Sequence, residues 1–375
     1  MRERLRGPWP EGPCLWLHGA SLGECKMLLN LAFCLIEDLA HCPPILLTTQ
    51  KAEVLAYLNG LNAGERISFG IAPLDVPTVM RKFVARVKPL ALVLGENELW
   101  PGYLKTMAHL RGRASVALVS GRYRSSAIRA DFDMLLLASM QTAGDLGRFC
   151  RRGLKRNLDE RLIAERVFVG GNWKLLPWCR LGVPYPDKER MVDVVLLSLH
   201  FAEWKRLRTL FERTSKSVRT VVLVPRRLEE LDDFCLALKC AGHDVCVWPE
   251  TRPGSVSVAD CYGKVPEILD VSKIAIVGGS FCKRPGIHDF WEPLRHNVRT
   301  LVGPYANGSE EQVDDLVCRG LLERLDSKAA IENLDLVGSC RDKDLKLNFE
   351  SQMAIEKKKI LDSYQRLLLA LEDLL

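Results

Sequence analysis

Residues 14–24 read Cys14-Leu15-Trp16-Leu17-His18-Gly19-Ala20-Ser21-Leu22-Gly23-Glu24. A short apolar run, Cys14–His18, ends in a small-residue turn, and apolar positions then recur at helical spacing over 24–40. Strand, turn and helix in that order open a parallel α/β unit, whose strands are buried on both faces and so carry near-continuous apolar runs. Working outward, Ile45–Thr49, Leu90–Leu94 and Ser115–Val119 are further expected strands. Around residues 172–190 the pattern lapses, and Pro177, Pro184 and Pro186 mark a linker. A second series then begins, with strands expected at Val192–Ser198, Thr220–Val224, Asp244–Trp248, Ile274–Val277 and Thr300–Val302 and helices at 202–213, 228–241 and 310–320. There is no repeat of fixed period. The reading is an α/β protein of two Rossmann-like domains, 1–175 and 191–349, joined by a linker at 176–190 and followed by an amphipathic helix at 350–375. Two such domains in series predict an interdomain cleft at the carboxyl ends of the strands, so the residues just after each strand are those to inspect.

Composition narrows the class. A chain of 375 residues with 47% hydrophobic content holds more than one core. No run of about 18 apolar residues is present, which argues against a spanning helix, and the charged start Met1–Arg6 has no apolar stretch behind it, which argues against a secretory signal. The 13 cysteines form no Cys-x-x-Cys pair, a pattern expected of reduced, partly buried thiols rather than a zinc site. Net charge is +6, but residues 1–175 hold 24 Lys/Arg against 16 Asp/Glu, or +8, leaving −2 for the rest. Arg148, Arg151, Arg152, Lys155 and Arg156 are the densest cluster, with Arg122, Arg124 and Arg129 upstream. They form either a solvated helix face or a surface for an anionic partner. Nothing interleaves them with aromatics, which argues against nucleic acid.

Four strand ends carry candidate chemistry. After Cys14–His18, Ser21-x-x-Glu24 is a capping box. Alternatively, Glu24 is a general base, kept as the carboxylate by the helix dipole. After Leu90–Leu94, Gly95-Glu96-Asn97-Glu98-Leu99-Trp100-Pro101 sets two carboxylates at i and i+2, on one face if the chain is extended, before Pro101 as a first-turn residue. After Ile274–Val277, Gly278-Gly279-Ser280 followed by Lys283-Arg284 is a glycine turn of the kind that lets backbone N–H groups approach a phosphate. His288 and Glu292-Pro293 follow it. After Thr220–Val224, Pro225-Arg226-Arg227 places a guanidinium at a strand end, for an anion or for solvent.

Taken in order, His18-x-Ala-Ser21-x-Gly23-Glu24, Glu96-x-Glu98-Leu-Trp-Pro101, Ser120-Gly-Arg122-x-x-Ser125, Gly171-Asn172-x-Lys174, Val224-Pro225-Arg226 and Gly278-Gly279-Ser280…His288…Glu292-Pro293…Gly303-Pro304 resemble the Kdo (3-deoxy-D-manno-octulosonic acid) transferases, from about residue 14 to about 320. The resemblance implies a GT-B fold and an inverting, metal-independent transfer of Kdo from CMP-Kdo to a lipid A precursor, with no further cofactor. It implies Glu24 as general base and Glu96 or Glu98 as a second essential acid. It implies His18, Ser21, Gly23, Arg122, Asn172 and Lys174 as substrate-binding residues. The nucleotide would be held by Ser198, Pro225, Arg226, Gly278, Gly279, Ser280, Arg284, His288 and Glu292. It also implies a cytoplasmic protein lying peripherally on the inner face of the inner membrane. With 17 residues before His18, it would be a divergent member without the usual N-terminal anchor. The departures cluster in the second domain. The usual Ser-Thr-His-x-Gly-Glu reads Ser198-Leu-His200-Phe-Ala-Glu203, Met-Gly-Glu reads Tyr262-Gly263-Lys264, Pro-Arg-His reads Pro225-Arg226-Arg227, and His-Asn-Pro-x-Glu-Pro reads His288-Asp-Phe-Trp-Glu292-Pro293. These departures leave two alternatives: a GT-B transferase with another nucleotide-sugar donor, or a catalytically silent paralogue that binds lipid or a partner enzyme.

Overall fold

The computed structural model describes residues 4–5, 7, 9–111, 116–123, 135–153, 160–181, 189–208, 220–284, 286–326 and 342–375. The sequence candidates Arg124, Ser125, Arg129, Lys155 and Arg156 lie outside the described residues, as do Pro184 and Pro186. The chain divides into two compact units, Met1–Gly182 with Met353–Leu375, and Val183–Gln352.

The first unit is a seven-stranded sheet in which every neighbouring pair is parallel. Its strands are β1 Cys14–His18, β2 Ile45–Thr49, β3 Ile67–Ile71, β4 Pro89–Gly95, β5 Val116–Gly121, β6 Leu135–Met140 and β7 Val167–Val169, in the order β3-β2-β1-β4-β5-β6-β7. All five residues of β1 and of β2 are buried, as a sheet covered on both faces requires. On one face Trp16 meets Phe83 and Tyr103 at centroid distances of 4.6 and 4.9 Å, and Trp9 stands edge-on to Phe83 at 5.0 Å. The chain runs outward from β1 to β3 and then returns to β4 beside β1. The loops after β1 and β4 therefore diverge at the point where strand order reverses, the place where open α/β sheets bind ligands.

The last helix, Asp342–Glu372, brings residues from Met353 onward into this unit. Ser363 Oγ donates to Ser139 Oγ at 2.7 Å and Tyr364 Oη to Asp38 Oδ2 at 2.6 Å, while Arg180 forks onto the same Asp38. Leu176–Leu181, inside the stretch read as linker, is a helix with Leu176 and Cys179 buried.

The second unit repeats the plan. Strands β8 Val192–Leu199, β9 Val221–Pro225, β10 Asp244–Val247, β11 Ser255–Val258, β12 Ser272–Val277, β13 Arg299–Val302 and β14 Leu322–Arg324 lie in the order β10-β11-β9-β8-β12-β13-β14, again all parallel. Strand order reverses between β8 and β12. The loops that begin at His200 and Gly278 thus leave the sheet side by side.

No helix among the described residues is long and apolar enough to cross a membrane.

Candidate active site

Glu24 sits at the first turn of helix Leu22–Asp38, beside the β1/β4 reversal. The capping box is real. Its Oε2 accepts from the backbone N–H of Ala20 (2.7 Å) and Ser21 (3.0 Å), and its own N–H donates to Ser21 Oγ at 3.3 Å. Both bonds fall on Oε2, so Oε1 is not used by the cap. A Cβ on Gly19 would lie 2.9 Å from Glu24 Cβ, so only glycine leaves room for this side chain there. Burial pushes the Glu24 carboxyl up to about 7, with the charges of Glu96 and Glu98 adding to it against the two cap bonds. The cap therefore does not occupy both oxygens of Glu24.

The Gly95–Pro101 segment is a tight turn, which corrects the expectation that Glu96 and Glu98 share one face of an extended chain. Glu96 has φ of 47°, and the N–H groups of Glu98, Leu99 and Trp100 donate to Gly95, Asn97 and Glu98 carbonyls. The turn sends the two carboxylates to different partners. Glu96 Oε1 lies 2.7 Å from Lys174 Nζ and its Oε2 3.9 Å from Arg122 Nη1. Glu98 Oε2 accepts from Trp100 Nε1 at 2.6 Å and faces His18 Nε2 at 3.4 Å. His18 is fully buried, with Nδ1 3.0 Å from Thr48 Oγ1 and its ring edge-on to Tyr103.

The motif residues from the end of the first unit arrive through a short 3-10 turn, Trp173–Leu175. Asn172 caps it, its Oδ1 accepting from Lys174 N–H at 3.1 Å, and the Trp173 N–H is held by Ser120 Oγ at 3.2 Å. This turn aims Lys174 at Glu96. A Cβ on Gly23 would stand 3.7 Å from Lys174 Nζ, so the same ammonium also reaches the start of the Glu24 helix. His18, Ser21, Gly23, Glu24, Glu96, Glu98, Arg122, Asn172 and Lys174 are thus gathered around one strand-order reversal. Thr48, which orients His18, went unread because a threonine inside an apolar strand carries no signal of its own.

Of the basic cluster, Arg148 is tied to Asp145 (2.6 Å) and to the Tyr123 carbonyl, whereas Arg151 and Arg152 are exposed in the turn Phe149–Gly153.

In K174M, Glu96 loses its nearest cation, and its uncompensated charge pushes the Glu24 carboxyl further up. The acid limb of the transfer pH profile should move to higher pH, with kcat/KM falling more at pH 6.5 than at pH 8.5 and K174R restoring most of the difference. An unchanged profile in K174M would show that this ammonium does not tune Glu24.

In the second unit the matching reversal carries the glycine loop. Gly279 has φ of 75°, and a Cβ there would lie 2.1 Å from the Gly286 carbonyl oxygen, so no other residue fits. Ser280 is fully buried, and its hydroxyl is spent inside the fold, donating to the Val277 carbonyl and accepting from Gly303 N–H at 2.8 Å. The loop is fastened by Glu203, which the sequence reading quoted within a motif but did not count as a site residue. Its fully buried carboxylate accepts from Gly279 N–H (2.8 Å), Phe281 N–H (2.9 Å) and His200 N–H (3.0 Å), locking the two diverging loops together. The available signal was an acid three residues beyond a strand-end histidine.

His288 N–H bonds the Gly278 carbonyl at 3.1 Å. Asp289 Oδ1 caps the helix Trp291–Arg295 by accepting from Trp291 and Glu292 N–H, leaving Glu292 half-buried at the first turn. Ser198, the last residue but one of β8, has φ of 55°, Pro225 is buried at the end of β9, Arg226 is exposed with its N–H on the Leu199 carbonyl, and Arg284 is exposed. Among the described residues no group of three or more His, Cys, Asp or Glu side chains converges as metal ligands would.

Two doubly wound parallel sheets, with carboxylates at one strand-order reversal and a glycine loop at the other, define the GT-B fold. The fold is shared with a crystal structure of a glycosyltransferase from Rickettsia africae, at a TM-score of 0.52 and 11% identity over 97% of each chain. Residues 1–175 match the family model of the 3-deoxy-D-manno-octulosonic-acid transferase (kdotransferase). The chain is 28% identical over 308 residues to the 3-deoxy-D-manno-octulosonic acid transferase of Aquifex aeolicus, covering 80% of this chain and 78% of that one. It is 26% identical over 374 residues to the enzyme of the same name from Bordetella pertussis, covering 88% and 81%. The chain is thus similar to the Kdo transferases over most of its length, and its first half matches their family model.

Proposed function

We propose that this protein transfers Kdo from CMP-Kdo to a hydroxyl group of a lipid A precursor, with inversion at the anomeric carbon and without a metal ion. The observation that carries the reading is Glu24, a carboxyl held near neutrality at the β1/β4 reversal with one oxygen outside its cap. In this reaction Glu24 takes the proton of the acceptor hydroxyl as that oxygen attacks the anomeric carbon. The bond from that carbon to the phosphate oxygen breaks, and CMP leaves with the electron pair. Positive charge developing on the sugar ring is favoured by the nearby carboxylates of Glu96 and Glu98. Lys174 and Arg122 offset the resting charge of Glu96, which keeps three close carboxylates compatible with folding. The second unit holds the nucleotide, with Arg226, Arg284, His288 and Glu292 bordering the glycine loop. The exposed Arg151 and Arg152 contribute to peripheral contact with an anionic, cytoplasm-facing membrane surface.

A second reading keeps the reaction class and changes the donor. It is favoured by Tyr262 and Lys264, which stand where the family pattern has Met and Glu, with Lys264 paired to Glu267 at 3.3 Å.

The purified protein, given CMP-Kdo and a lipid A precursor, should release CMP and add the mass of Kdo, and NMR should show the new linkage inverted relative to the donor. Turnover of a UDP- or GDP-sugar in place of CMP-Kdo would transfer the assignment to the second reading. In liposome cosedimentation, R151E/R152E should weaken binding to anionic vesicles.

A further inference from the structure

His200, at the end of β8, and His288, ten residues past Gly278, place their Nε2 atoms 2.8 Å apart, with ring centroids 5.0 Å apart and tilted by 37°. Two neutral imidazoles share two ring hydrogens among four nitrogens. The Nε2–Nε2 contact needs one of them. Around His200 stand Glu203, Glu230, Arg226 and Arg227, and around His288 stand Arg226 and His200. The Glu203 carboxylate is already occupied by three N–H groups. The carboxylate facing the His200 ring is therefore that of Glu230, whose Oε2 lies 4.0 Å from His200 Nδ1 and also accepts from Phe201 N–H at 3.2 Å. It favours a hydrogen on His200 Nδ1. His200 Nε2 is then the acceptor, and His288 donates its only hydrogen through Nε2. This leaves His288 Nδ1 as a bare lone pair with no hydrogen-bond partner among the described residues, on a half-buried ring carried by a residue whose backbone N–H is anchored to the Gly278 carbonyl.

We propose that the His200–His288 pair is a proton-linked recognition point for a phosphate monoester at the glycine loop. One proton from solution joins His288 Nδ1 as the phosphoryl group binds, and His200 acts as the positioning residue that keeps His288 in register. This inference rests on the second unit binding a nucleotide. The pair by itself has reason to stay neutral: burial, the Arg226 cation and the neighbouring imidazole hold His288 down to about 3. A phosphoryl dianion beside Arg226 cancels the second of these and gives the new N–H a charged acceptor. Nucleotide binding thereby consumes a proton that a lone arginine site would not require.

The test is calorimetric titration of the whole protein with CMP at pH 7.5, in two buffers of different ionisation enthalpy. CMP should be bound with net proton uptake approaching one. Cytidine, which lacks the phosphate, should be bound without uptake. H288Q should abolish the uptake and weaken CMP at least tenfold. H200L should lose both in part, and H200Q, whose amide can still meet His288 Nε2, should recover affinity, with far-UV circular dichroism confirming that each variant is folded. CMP binding with no uptake, or uptake that persists in H288Q, overturns the proposal and leaves the nucleotide site standing. Failure of CMP to bind at all overturns both.

Discussion

The E24Q protein loses transfer activity by about 10²–10⁴-fold, the usual contribution of a positioned general base, while keeping its fold. Glutamine preserves the cap because a carboxamide oxygen accepts the same two backbone bonds that Glu24 Oε2 takes now. What it cannot do is accept a proton. The wild-type rate should rise with pH through an acid limb near 7, where the carboxyl ionises, and the residual E24Q rate should lack that limb. The same carboxyl gives a stability signature of opposite direction. Its folded pKa, about 7, lies above its ordinary value of 4.5. It therefore costs no stability below pH 4.5, an increasing amount between 4.5 and 7, and the full amount above 7. E24Q should match the wild-type melting temperature at pH 4.5 and exceed it at pH 8. An E24Q enzyme within twofold of wild type would show that the carboxylate serves only as a cap.

Glu203→Ala is expected to be the most damaging single change in the second unit. It strips acceptors from three buried N–H groups at once, on His200, Gly279 and Phe281. At about 1–3 kcal/mol for each of three unsatisfied groups, the loss is about 3–9 kcal/mol. E203Q should fall between, since one carboxamide oxygen remains while its NH₂ confronts a former donor. Chemical denaturation followed by a second-unit probe, such as the fluorescence of Trp204 or Trp248, reads this directly. An E203A loss under 1 kcal/mol would show that the loops hold their places without it. Because the carboxylate spans both diverging loops, even the folded fraction of E203A should bind CMP weakly.

How much of this was legible in sequence depended on how strongly each strand declared itself. Cys14–His18 and Ile45–Thr49 are buried throughout, so their apolar runs stood out. Ser255–Val258 is equally buried but alternates serine with valine. Ser255 and Ser257 satisfy their hydroxyls on the Arg252 and Glu250 carbonyls, a compensation no local pattern announces. Val167–Val169 and Leu322–Arg324 are three residues each, too short to show a period in the sequence, and both close an edge of their sheet. The carboxylates after β1 and β4 were visible as acids following strands. Their division of labour was not, because it depends on the left-handed backbone at Glu96, which an extended reading of Gly95–Pro101 conceals. Glu203 and His200 were quoted as motif letters but not as site residues, since an acid and a histidine near a helix start are ordinarily surface groups.

The first unit is assembled from two stretches, Met1–Gly182 and Met353–Leu375, with all of Val183–Gln352 intervening. On the ribosome, its seven strands emerge long before the segment bearing Ser363 and Tyr364, so the nascent unit must wait, unfinished, through the synthesis of its neighbour. A premature stop just short of residue 353 would thus injure the half of the molecule made first, leaving Ser139 and Asp38 without the partners that arrive last.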